Sequence, residues 1–431
     1  MDLILNAGFP ALVKKGMAME QWYLFALAVV STFAIFLNWG SETHFHGRRL
    51  RQRSLRIHVN GIRGKSTVTR IIAGLLREAG VNTVAKTTGS AACIISQDGT
   101  DVPIQRNGSP TILEQVEFIN RLDSSVDGLV IECMAIKPEY QQICEDKIIQ
   151  SNIGIITNVR EDHQDILGES LEEIAGHLLS TCPKQGILIT AERNPKLRPI
   201  FEKVARERGS ELIFTNPESV TDEELRSFSY IAFKENVAIG MAVAELYGID
   251  RETAIRGMVN AAPDPGVLRI AKKHYGDRRL TWADLFAVND RESVINCVDK
   301  VSQLVPDNTL KIGLLNNRLD REHRAIQFGQ IAAQDLQLDF VVLLGAYEKR
   351  VREELRKNGV KDDRIIALGD SSNLQGRRLL QNILEQTDRV ESANSSPADA
   401  LIFGLVNIHT PQAESLRELF THDEGAHHEF H

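Results

Sequence analysis

The sequence predicts an α/β protein with a mainly parallel sheet in its larger part, a smaller Rossmann-like α/β unit after it, and one transmembrane helix near the N-terminus. Strand-like and helix-like stretches alternate from residue 55 onwards, which is typical of parallel sheets covered by helices. A glycine-rich turn joins the first strand to the first helix, and an uncharged segment precedes both. These three observations determine the predicted fold class.

Composition limits the classes of function. The chain has 431 residues, enough for two or more globular units with cores of their own. Lysine and arginine number 50 against 58 aspartates and glutamates, and this mildly acidic balance gives no sign of a nucleic-acid partner. The five cysteines are scattered and form no C-x-x-C pair, which favours reduced thiols over a disulfide framework or a zinc site.

The first predicted element is a membrane anchor. The segment Trp22–Trp39 carries no charge, has tryptophan at both ends and is long enough to cross a bilayer as a helix. Five arginines follow the segment, and two lysines precede it: Arg48, Arg49, Arg51, Arg53 and Arg56, against Lys14 and Lys15. By the positive-inside rule this excess of basic residues places the following part of the chain in the cytoplasm. We therefore expect a single-pass protein of the cell membrane whose globular domains lie in the cytoplasm. A cleaved signal peptide and a buried core helix are the alternatives.

The alternating elements follow in order. Short apolar runs predict strands at Leu55–Asn60, Asn82–Lys86, Val126–Glu132, Ile153–Asn158, Gly186–Thr190, Leu285–Val288, Lys311–Leu315, Phe340–Leu344, Ile365–Leu368 and Ala400–Val406. Longer amphipathic stretches predict helices at Lys65–Ala79, Thr111–Leu122, Pro138–Lys147, Ser170–Leu179, Glu235–Asn260, Arg291–Leu304 and Arg321–Asp335, and two more near Arg350 and Leu380.

Two prolines and a glycine in NAAPDPGVLR (260–269) interrupt this pattern and predict a domain boundary. The predicted organisation is an N-terminal segment (1–45), a central α/β domain (46–265) that carries the glycine-rich turn, a C-terminal α/β domain (266–420) and a flexible tail (421–431). The tail contains irregularly spaced histidines, for which a metal-binding role is a weak alternative to a frayed end.

The glycine-rich turn HVNGIRGKSTVTR (58–70) predicts a phosphate site. Its G-x-x-G-K-S-T spacing is shorter than the usual G-x-x-x-x-G-K-[ST], because the expected first glycine is Val59. A strand that leads through such a turn into a helix still directs backbone N–H groups and the positive end of the helix at an anion. A chance glycine-lysine pair in a surface turn is the alternative. The candidate nucleotide-binding residues are Asn60, Gly61, Arg63, Gly64, Lys65, Ser66 and Thr67, with Ser66 also a candidate Mg²⁺ ligand.

Two further stretches carry candidate metal ligands. Glu132 ends a predicted buried strand, at the edge where open α/β sheets bind ligands, and its carboxylate suits Mg²⁺. In ITNVREDHQD (156–165), Asn158 ends the next strand and His163 follows within a turn. These residues could hold a second metal or orient phosphates. An ordinary surface glutamate and a helix-capping turn are the simpler alternatives.

The three motifs in this order resemble the central domain of the Mur ligase and folylpolyglutamate synthase superfamily, whose members are ATP-dependent amide ligases. The stretches GIRGKST, IECMAI and LLNNRLDREHR, together with the membrane anchor, resemble one branch of it, the ligase subunits of capsular poly-γ-glutamate synthases. The resemblance covers nearly the whole chain. It implies that Lys65, Glu132 and His163 serve catalysis, that Glu132 and His163 bind metal, and that Asn158 belongs to the nucleotide site.

Two departures from the superfamily pattern affect the predicted site. Mur-type enzymes carry a carbamylated lysine after the DH pair, whereas EEIAGHLLS (172–180) has none, so His177 is a candidate substitute ligand. The usual loop at the start of the C-terminal domain, which contacts substrate and nucleotide in the superfamily, is replaced by AVNDRES (287–293), which makes Asn289, Asp290 and Arg291 candidate contacts. The arginine-rich NNRLDREHR (316–324) could bind carboxylates, or it could be a solvated helix start.

The resemblance implies an ATP- and Mg²⁺-dependent ligase. Its substrates would be L- or D-glutamate and a growing poly-γ-glutamate chain, joined through an acyl phosphate, with other integral membrane subunits of a synthase or export complex as partners. A P-loop kinase and an ATP-driven scaffold of a capsule export complex are the alternatives.

Overall fold

The predicted α/β fold is confirmed by the computed structural model, which contains two open sheets built mainly of parallel strands. The structure describes residues 22–34, 45–88, 92–106, 108–162, 164–264, 267–268, 270–286, 288, 290–369, 374–391, 399–408 and 410–421. Residues 265 and 266, where we predicted the domain boundary, lie outside these ranges, so the boundary stays a prediction.

The first sheet has eight strands in the order β4-β3-β2-β5-β1-β6-β7-β8. In chain order they are β1 (Leu55–Asn60), β2 (Thr83–Lys86), β3 (Cys93–Ile95), β4 (Asp101–Pro103), β5 (Gly128–Glu132), β6 (Ile153–Ile156), β7 (Ile187–Thr190) and β8 (Glu211–Phe214). Only β3 and β4 run antiparallel to their neighbours. The carboxyl ends of the parallel strands therefore share one edge, where β1 leads into the phosphate loop.

The second sheet has six strands in the order β13-β12-β11-β14-β10-β9. They are β9 (Ile270–Tyr275), β10 (Arg278–Asp284), β11 (Leu310–Asn317), β12 (Phe340–Gly345), β13 (Ile365–Gly369) and β14 (Ala400–Val406). The β9–β10 pair is an antiparallel hairpin, and the other strands pair in parallel.

Helices cover the described faces of both sheets. In the first half of the chain they are 22–34, 45–51, Lys65–Glu78, Leu113–Arg121, Pro138–Ile143, the π-helix Cys144–Ile149, Gln164–Leu167, Leu171–Leu178, Arg198–Arg208, Asp222–Arg226, Lys234–Leu246 and Arg251–Asn260. In the second half they are Arg291–Ser302, Glu322–Gln334, Glu348–Lys357, Gly376–Glu391 and Pro411–Thr421. Short 3₁₀ turns occur at Leu179–Thr181, Pro217–Ser219 and Asp362–Arg364.

The apolar core lies on both faces of the first sheet because alternate strand residues point to opposite sides. In β5, Val130 packs in the cluster that contains the helix Lys65–Glu78. Its neighbours Leu129 and Ile131 pack on the other face, in the cluster that contains the helix Leu113–Arg121. A strand buried on both faces reads as a continuous apolar run, and this is the pattern that predicted the parallel sheet.

Two element predictions are wrong. The single helix predicted over Glu235–Asn260 is two helices, because Gly248 has a positive φ and the side chain of Asp250 caps the second helix by accepting a bond from the Thr253 N–H. The strand predicted at Leu285–Val288 lies earlier, as β10, which ends at Asp284. β10 pairs with β9 across the turn at Gly276, and this pairing sets its position.

The predicted transmembrane helix over 22–39 is not supported. Within the described part of the chain, no helix combines the length and apolarity needed to cross a membrane. The described helix covers 22–34 with all its residues exposed, and 35–39 lie outside the described residues. Of the five arginines behind it, Arg53 is buried and donates to the carbonyls of Ser124 and Val126, so it holds the protein core.

The phosphate-loop helix packs closely on a second helix through two glycines. Gly74 of Lys65–Glu78 faces Gly257 of Arg251–Asn260, and a Cβ on Gly74 would overlap the carbonyl oxygen of Gly257 and lie 2.8 Å from the Cβ of Ala261. The contact involves backbone, which cannot rotate away as a side chain would. This contact fixes the distance at which the phosphate-loop helix lies from its neighbour.

We expect Gly74→Ala to lower the free energy of unfolding by about 1–3 kcal/mol, because the added methyl group pushes two helices apart. The matched control is Gly176→Ala in the helix Leu171–Leu178, where nothing lies within 4 Å of the added Cβ. This control should be neutral or stabilising by up to about 1 kcal/mol. Urea unfolding of both variants checks the difference, and equal effects would contradict the close packing.

A buried ion pair supports the strand that carries the phosphate loop. His58 of β1 is fully buried, and its Nδ1 donates to Glu145 Oε2 at 2.8 Å. The other oxygen of Glu145 accepts bonds from the backbone N–H and hydroxyl of Ser151. Burial acts to lower the pKa of His58, but the side chains of Cys133 and Glu145 outweigh it and raise that pKa to about 9.

The stabilisation from charged His58 is present in full below the unfolded-state pKa of roughly 6.5 and is lost as the pH rises through about 9. Between these two pH values we expect the free energy of unfolding of the wild type to fall by up to about 1.4 kcal/mol per pH unit more than that of His58→Gln. Urea unfolding from pH 6 to 10 measures both slopes. Parallel curves would show that His58 is neutral in the folded protein.

Candidate functional site

The phosphate loop follows β1 and contains two glycines in conformations that other residues rarely adopt. Gly61 has a φ of 125° and Gly64 a φ of 80°. A Cβ on Gly61 would also overlap the hydroxyl of Thr157 and lie 2.9 Å from the Thr157 nitrogen. The shortened G-x-x-G spacing therefore works because the first glycine packs against the end of the neighbouring strand β6.

Lys65 closes over this loop. Its Nζ donates to the carbonyl oxygens of Gly61, at 2.8 Å, and Ile62, at 3.2 Å. Burial lowers the pKa of Lys65, while the charge of Glu132 acts in the opposite direction. An ammonium held by loop carbonyls is positioned to exchange them for phosphate oxygens in the same place.

Glu132 lies beside the loop at the carboxyl end of β5, paired in register with Val59 of β1. It is 2% exposed, and its Oε2 accepts bonds from the Ser66 hydroxyl, at 2.9 Å, and the Thr88 backbone N–H, at 2.8 Å. A carboxylate next to a hydroxyl at a helix N-terminus offers the hard oxygen donors that Mg²⁺ prefers. The oxygens of Glu132 and Ser66 therefore fit a magnesium ion, which they would hold beside the phosphate loop.

Asn158 holds the loop from the other side. Its Oδ1 accepts from the Arg63 N–H and its Nδ2 donates to the Arg63 carbonyl, both at 3.0 Å. The hydroxyl of Thr157 donates to the same carbonyl at 2.7 Å. By contrast, the side chain of Asn60 donates to Gln141, to the Leu178 carbonyl and to Thr181, and so holds the sheet to its helices.

Arg63 connects the loop to the unit built on the second sheet. Its Nε donates to Asp290 at 2.6 Å, and its Nη2 lies 3.2 Å from Asp162. A parallel bridge joins Arg160 to Glu292 at 3.0 Å. Asp290 and Glu292 lie at the start of the helix Arg291–Ser302. Their bonds to Arg63 and Arg160 hold this helix against the phosphate-loop edge of the first sheet.

The predicted site residues that remain are Arg291, His177, His163 and Asn289. His163 and Asn289 lie outside the described residues. Arg291 bonds to Asp335 at 2.8 Å, and His177 Nδ1 donates to the Leu167 carbonyl at 2.7 Å. Nowhere among the described residues do three or more His, Cys, Asp or Glu side chains come together as a metal cluster. The nucleotide and metal roles proposed for these residues stay predictions.

The arginine-rich motif 316–324 is divided between two environments. Arg318 and Arg321 both contact Asp320. Arg324 is half-buried and, within the described residues, has no ion-pair partner. Burial lowers the pKa of Arg324, as do the charges of Arg321 and Arg63, while the charge of Asp162 acts to raise it.

Sequence reasoning missed three residues that shape the loop. Thr88 and Thr157 hold Glu132 and Arg63 through bonds described above, and Asn236 lies against Gly64, so that a Cβ there would approach its Oδ1 to 2.8 Å. Thr157 directly precedes Asn158 in the stretch ITNVREDHQD, so the sequence motif could have indicated it. Thr88 and Asn236 come from distant parts of the chain, and no local pattern indicates them.

Comparison with solved structures identifies the fold. The chain aligns with E. coli FolC in complex with ADP at a TM-score of 0.57 and 15% identity, covering 88% of this chain and 92% of that one. MurF from Acinetobacter baumannii aligns at a TM-score of 0.59 and 14% identity, covering 88% and 80%. At these identities the likeness establishes a Mur-ligase-like fold.

Family models and relatives establish membership. The Mur ligase middle domain model matches residues 59–262, and the model of the poly-γ-glutamate synthase CapB C-terminal domain matches residues 268–423. PGA synthase CapB of Bacillus subtilis (strain 168) is 33% identical over 92% of this chain and 98% of its own. Capsule biosynthesis protein CapB of Bacillus anthracis is 36% identical over 78% and 73%. The protein therefore belongs to the CapB family of poly-γ-glutamate synthases, built on a Mur ligase middle domain.

Proposed function

We propose that this protein joins glutamate units through γ-linked amide bonds, with ATP as the source of energy. Membership of a Mur-ligase-type family makes the chain an ATP-dependent amide ligase, which replaces the kinase and scaffold alternatives. The observation that carries the proposal is the contact of Glu132 with Ser66, next to Lys65, at the carboxyl edge of the first sheet. This edge is where open α/β sheets bind ligands.

The proposed reaction has two steps. A glutamate γ-carboxylate oxygen attacks the γ-phosphorus of ATP, so that ADP leaves and an acyl phosphate forms. A glutamate amine, L or D, then attacks the acyl carbon and loses a proton, and inorganic phosphate leaves as the amide bond forms. One of the two partners is the growing poly-γ-glutamate chain, which is consistent with the names of the relatives.

The residues of the loop position and neutralise the phosphates in the first step. Backbone N–H groups of the turn and the N-terminus of the helix Lys65–Glu78 face the phosphate oxygens, and Lys65 exchanges its loop carbonyls for them. Ser66 and Glu132 would hold Mg²⁺, which neutralises charge between the β- and γ-phosphates when it is bound. Glu132 is kept in place for this by Thr88.

We expect Lys65→Ala to reduce ATP turnover by on the order of a hundredfold or more, since the developing phosphate charge loses its nearest cation.

Glu132→Gln should raise the Mg²⁺ concentration required for half-maximal turnover or abolish activity. Phosphate release with ATP, Mg²⁺ and glutamate measures both effects. Identification of the product by mass spectrometry links turnover to γ-amide bonds.

The matched control for Glu132→Gln is Glu202→Gln, an exposed residue paired with Arg198 on a surface helix. It should leave turnover and the Mg²⁺ dependence unchanged. Normal product formation by a folded Lys65→Ala protein would refute the nucleotide assignment. An unchanged Mg²⁺ curve for Glu132→Gln would remove Glu132 from the metal site.

We also propose that the N-terminal segment attaches the enzyme to the cell membrane, beside other integral membrane subunits, with its catalytic part on the cytoplasmic side. The described helix 22–34 presents large apolar side chains to solvent, among them Trp22 at 71% and Phe33 at 63% exposure. Exposed apolar surface of this kind needs a lipid or protein partner. The arginines that follow the segment favour the cytoplasmic orientation.

Full-length protein should sediment with membranes after a high-salt wash, whereas a variant lacking residues 1–44 should be soluble and still bind ATP. The truncation keeps His46, whose Nε2 donates to the Ile148 carbonyl at 2.7 Å, so the docked helix 45–51 stays in place. Recovery of the full-length chain in the salt wash would contradict membrane insertion. Protease access to the catalytic part from outside intact cells would contradict the orientation.

A further inference from the structure

A cavity of about 440 Å³ lies on the face of the first sheet that the helix Leu113–Arg121 covers, and its volume is within the usual range for ligand pockets. Its inner end is formed by Lys86, the last residue of β2, and one wall by the helix Leu113–Arg121. The segment through Arg106 forms a second wall. None of the residues of the proposed phosphate site lines it.

The polar lining of the cavity is built around a buried lysine. Lys86 is fully buried, and its Nζ lies 2.6 Å from Glu114 Oε1. Arg106 binds the same carboxylate with two bonds, at 2.8 and 3.1 Å. These contacts hold the pKa of Glu114 at about 2, the Arg106 bonds being the largest cause. Within the described residues Glu114 is the ion-pair partner of both cations, so one carboxylate serves two cations that line the cavity.

The cations in the lining outnumber the anions. Lys86, Arg106 and Arg121 face Glu114 and Glu117, although the whole chain has a formal net charge of −8. Arg121 lies 3.5 Å from Glu117, and both side chains are more than half exposed. A surface pair of this kind contributes little and can exchange its partner. The cavity can therefore accept carboxylates without breaking the buried pair at its inner end.

Apolar side chains also line the cavity. Ile94, Ile104, Phe118 and Leu122 share the lining with the basic residues. A γ-linked glutamate chain alternates in the same way, because each unit contributes an α-carboxylate and a short run of methylene groups along its backbone. Its carboxylates match the positive charge of the guanidinium groups, and its methylene groups match the apolar wall.

The cavity is adjacent to the reacting end of the sheet. Lys86 pairs in register with Ile131, which directly precedes Glu132, and neighbouring strands lie about 4.8 Å apart. Gln115, next to Glu114 on the helix Leu113–Arg121 (the cavity helix), donates to the Glu132 carbonyl at 3.2 Å. Two residues after Lys86, the Thr88 N–H bonds the Glu132 carboxylate. The cavity and the phosphate-loop helix lie on opposite faces of the first sheet, and both reach its carboxyl edge at Glu132. A chain that leaves the cavity around this edge would present its terminal carboxylate at the phosphate site.

The structure assigns this cavity as a subsite for the growing polymer: it binds the α-carboxylates of a γ-linked glutamate chain through Arg106 and Arg121 while the end of the chain reacts beside Glu132. The assignment rests on the proposed function for the reaction that uses the chain. It adds the residues that select a polyanionic, γ-linked chain as the substrate whose terminal carboxylate is activated.

The test is direct binding of synthetic γ-linked hexaglutamate to the full-length protein in detergent, in the presence of a non-hydrolysable ATP analogue, by calorimetry. We expect Arg106→Gln and Arg121→Glu each to weaken binding roughly tenfold or more, the loss typical of a charge-assisted hydrogen bond. The same hexamer with its α-carboxylates converted to amides should bind the wild type poorly.

The matched control is Lys203→Glu, an exposed charge reversal on the helix Arg198–Arg208, where Lys203 has a similar helical partner in Glu207. It should leave binding unchanged. An equal loss for Lys203→Glu would show general charge attraction and overturn the subsite. Unchanged binding in Arg121→Glu, which is too exposed to disturb folding, would also overturn it, whatever Arg106→Gln does.

Turnover separates this inference from the proposed function. If the subsite is correct, Arg106→Gln raises the KM for the hexamer and leaves the KM for ATP unchanged. Ligation with unaltered KM values in Arg106→Gln would leave the ligase intact and refute the subsite. Binding of the hexamer that depends on Arg106, without any ATP-dependent extension, would support the subsite and refute the proposed ligation.

Discussion

The carboxylate of Glu132 is the point on which the rest of the site depends. One of its oxygens accepts bonds from the phosphate-loop helix, through Ser66, and from the segment after β2, through Thr88. Its backbone carbonyl accepts a bond from Gln115 on the cavity helix. A buried carboxylate requires such partners, because an unpaired charge in the interior is costly. The need to satisfy one acid group therefore aligns the loop, the sheet edge and the neighbouring cavity.

A second constraint comes from Arg63, which belongs to the phosphate loop and also to the contact between the two sheet units. Its backbone is held by Asn158, and its guanidinium is held by Asp290 and Asp162. Because these pairs are partly buried, they are screened by solvent less than surface pairs are. The conformation of the loop and the position of the helix Arg291–Ser302 are therefore coupled through one side chain.

Much of this architecture was predictable, because long apolar runs and amphipathic helices give clear periodic patterns. Strands such as Leu55–Asn60 and Ala400–Val406 match their predicted bounds. The three-residue strands β3 and β4 were missed, since so short a segment has no periodicity and β4 is exposed. In the site, the loop glycines and Glu132 followed from local motifs, whereas Thr88, Asn236 and the Arg63–Asp290 pair arise from contacts between distant segments.

The docked helix 45–51 has a geometric consequence for the whole enzyme. His46 in this helix donates a hydrogen bond to the Ile148 carbonyl. Arg53, which follows the helix, donates to the carbonyl of Leu122 at the end of the helix Leu113–Arg121 that lines the cavity. Residues 35–44 then separate this anchor point from the exposed helix 22–34, and a chain of that length spans at most roughly 35 Å. The length of this segment therefore sets a maximum distance between the cavity and the surface that binds the N-terminal helix.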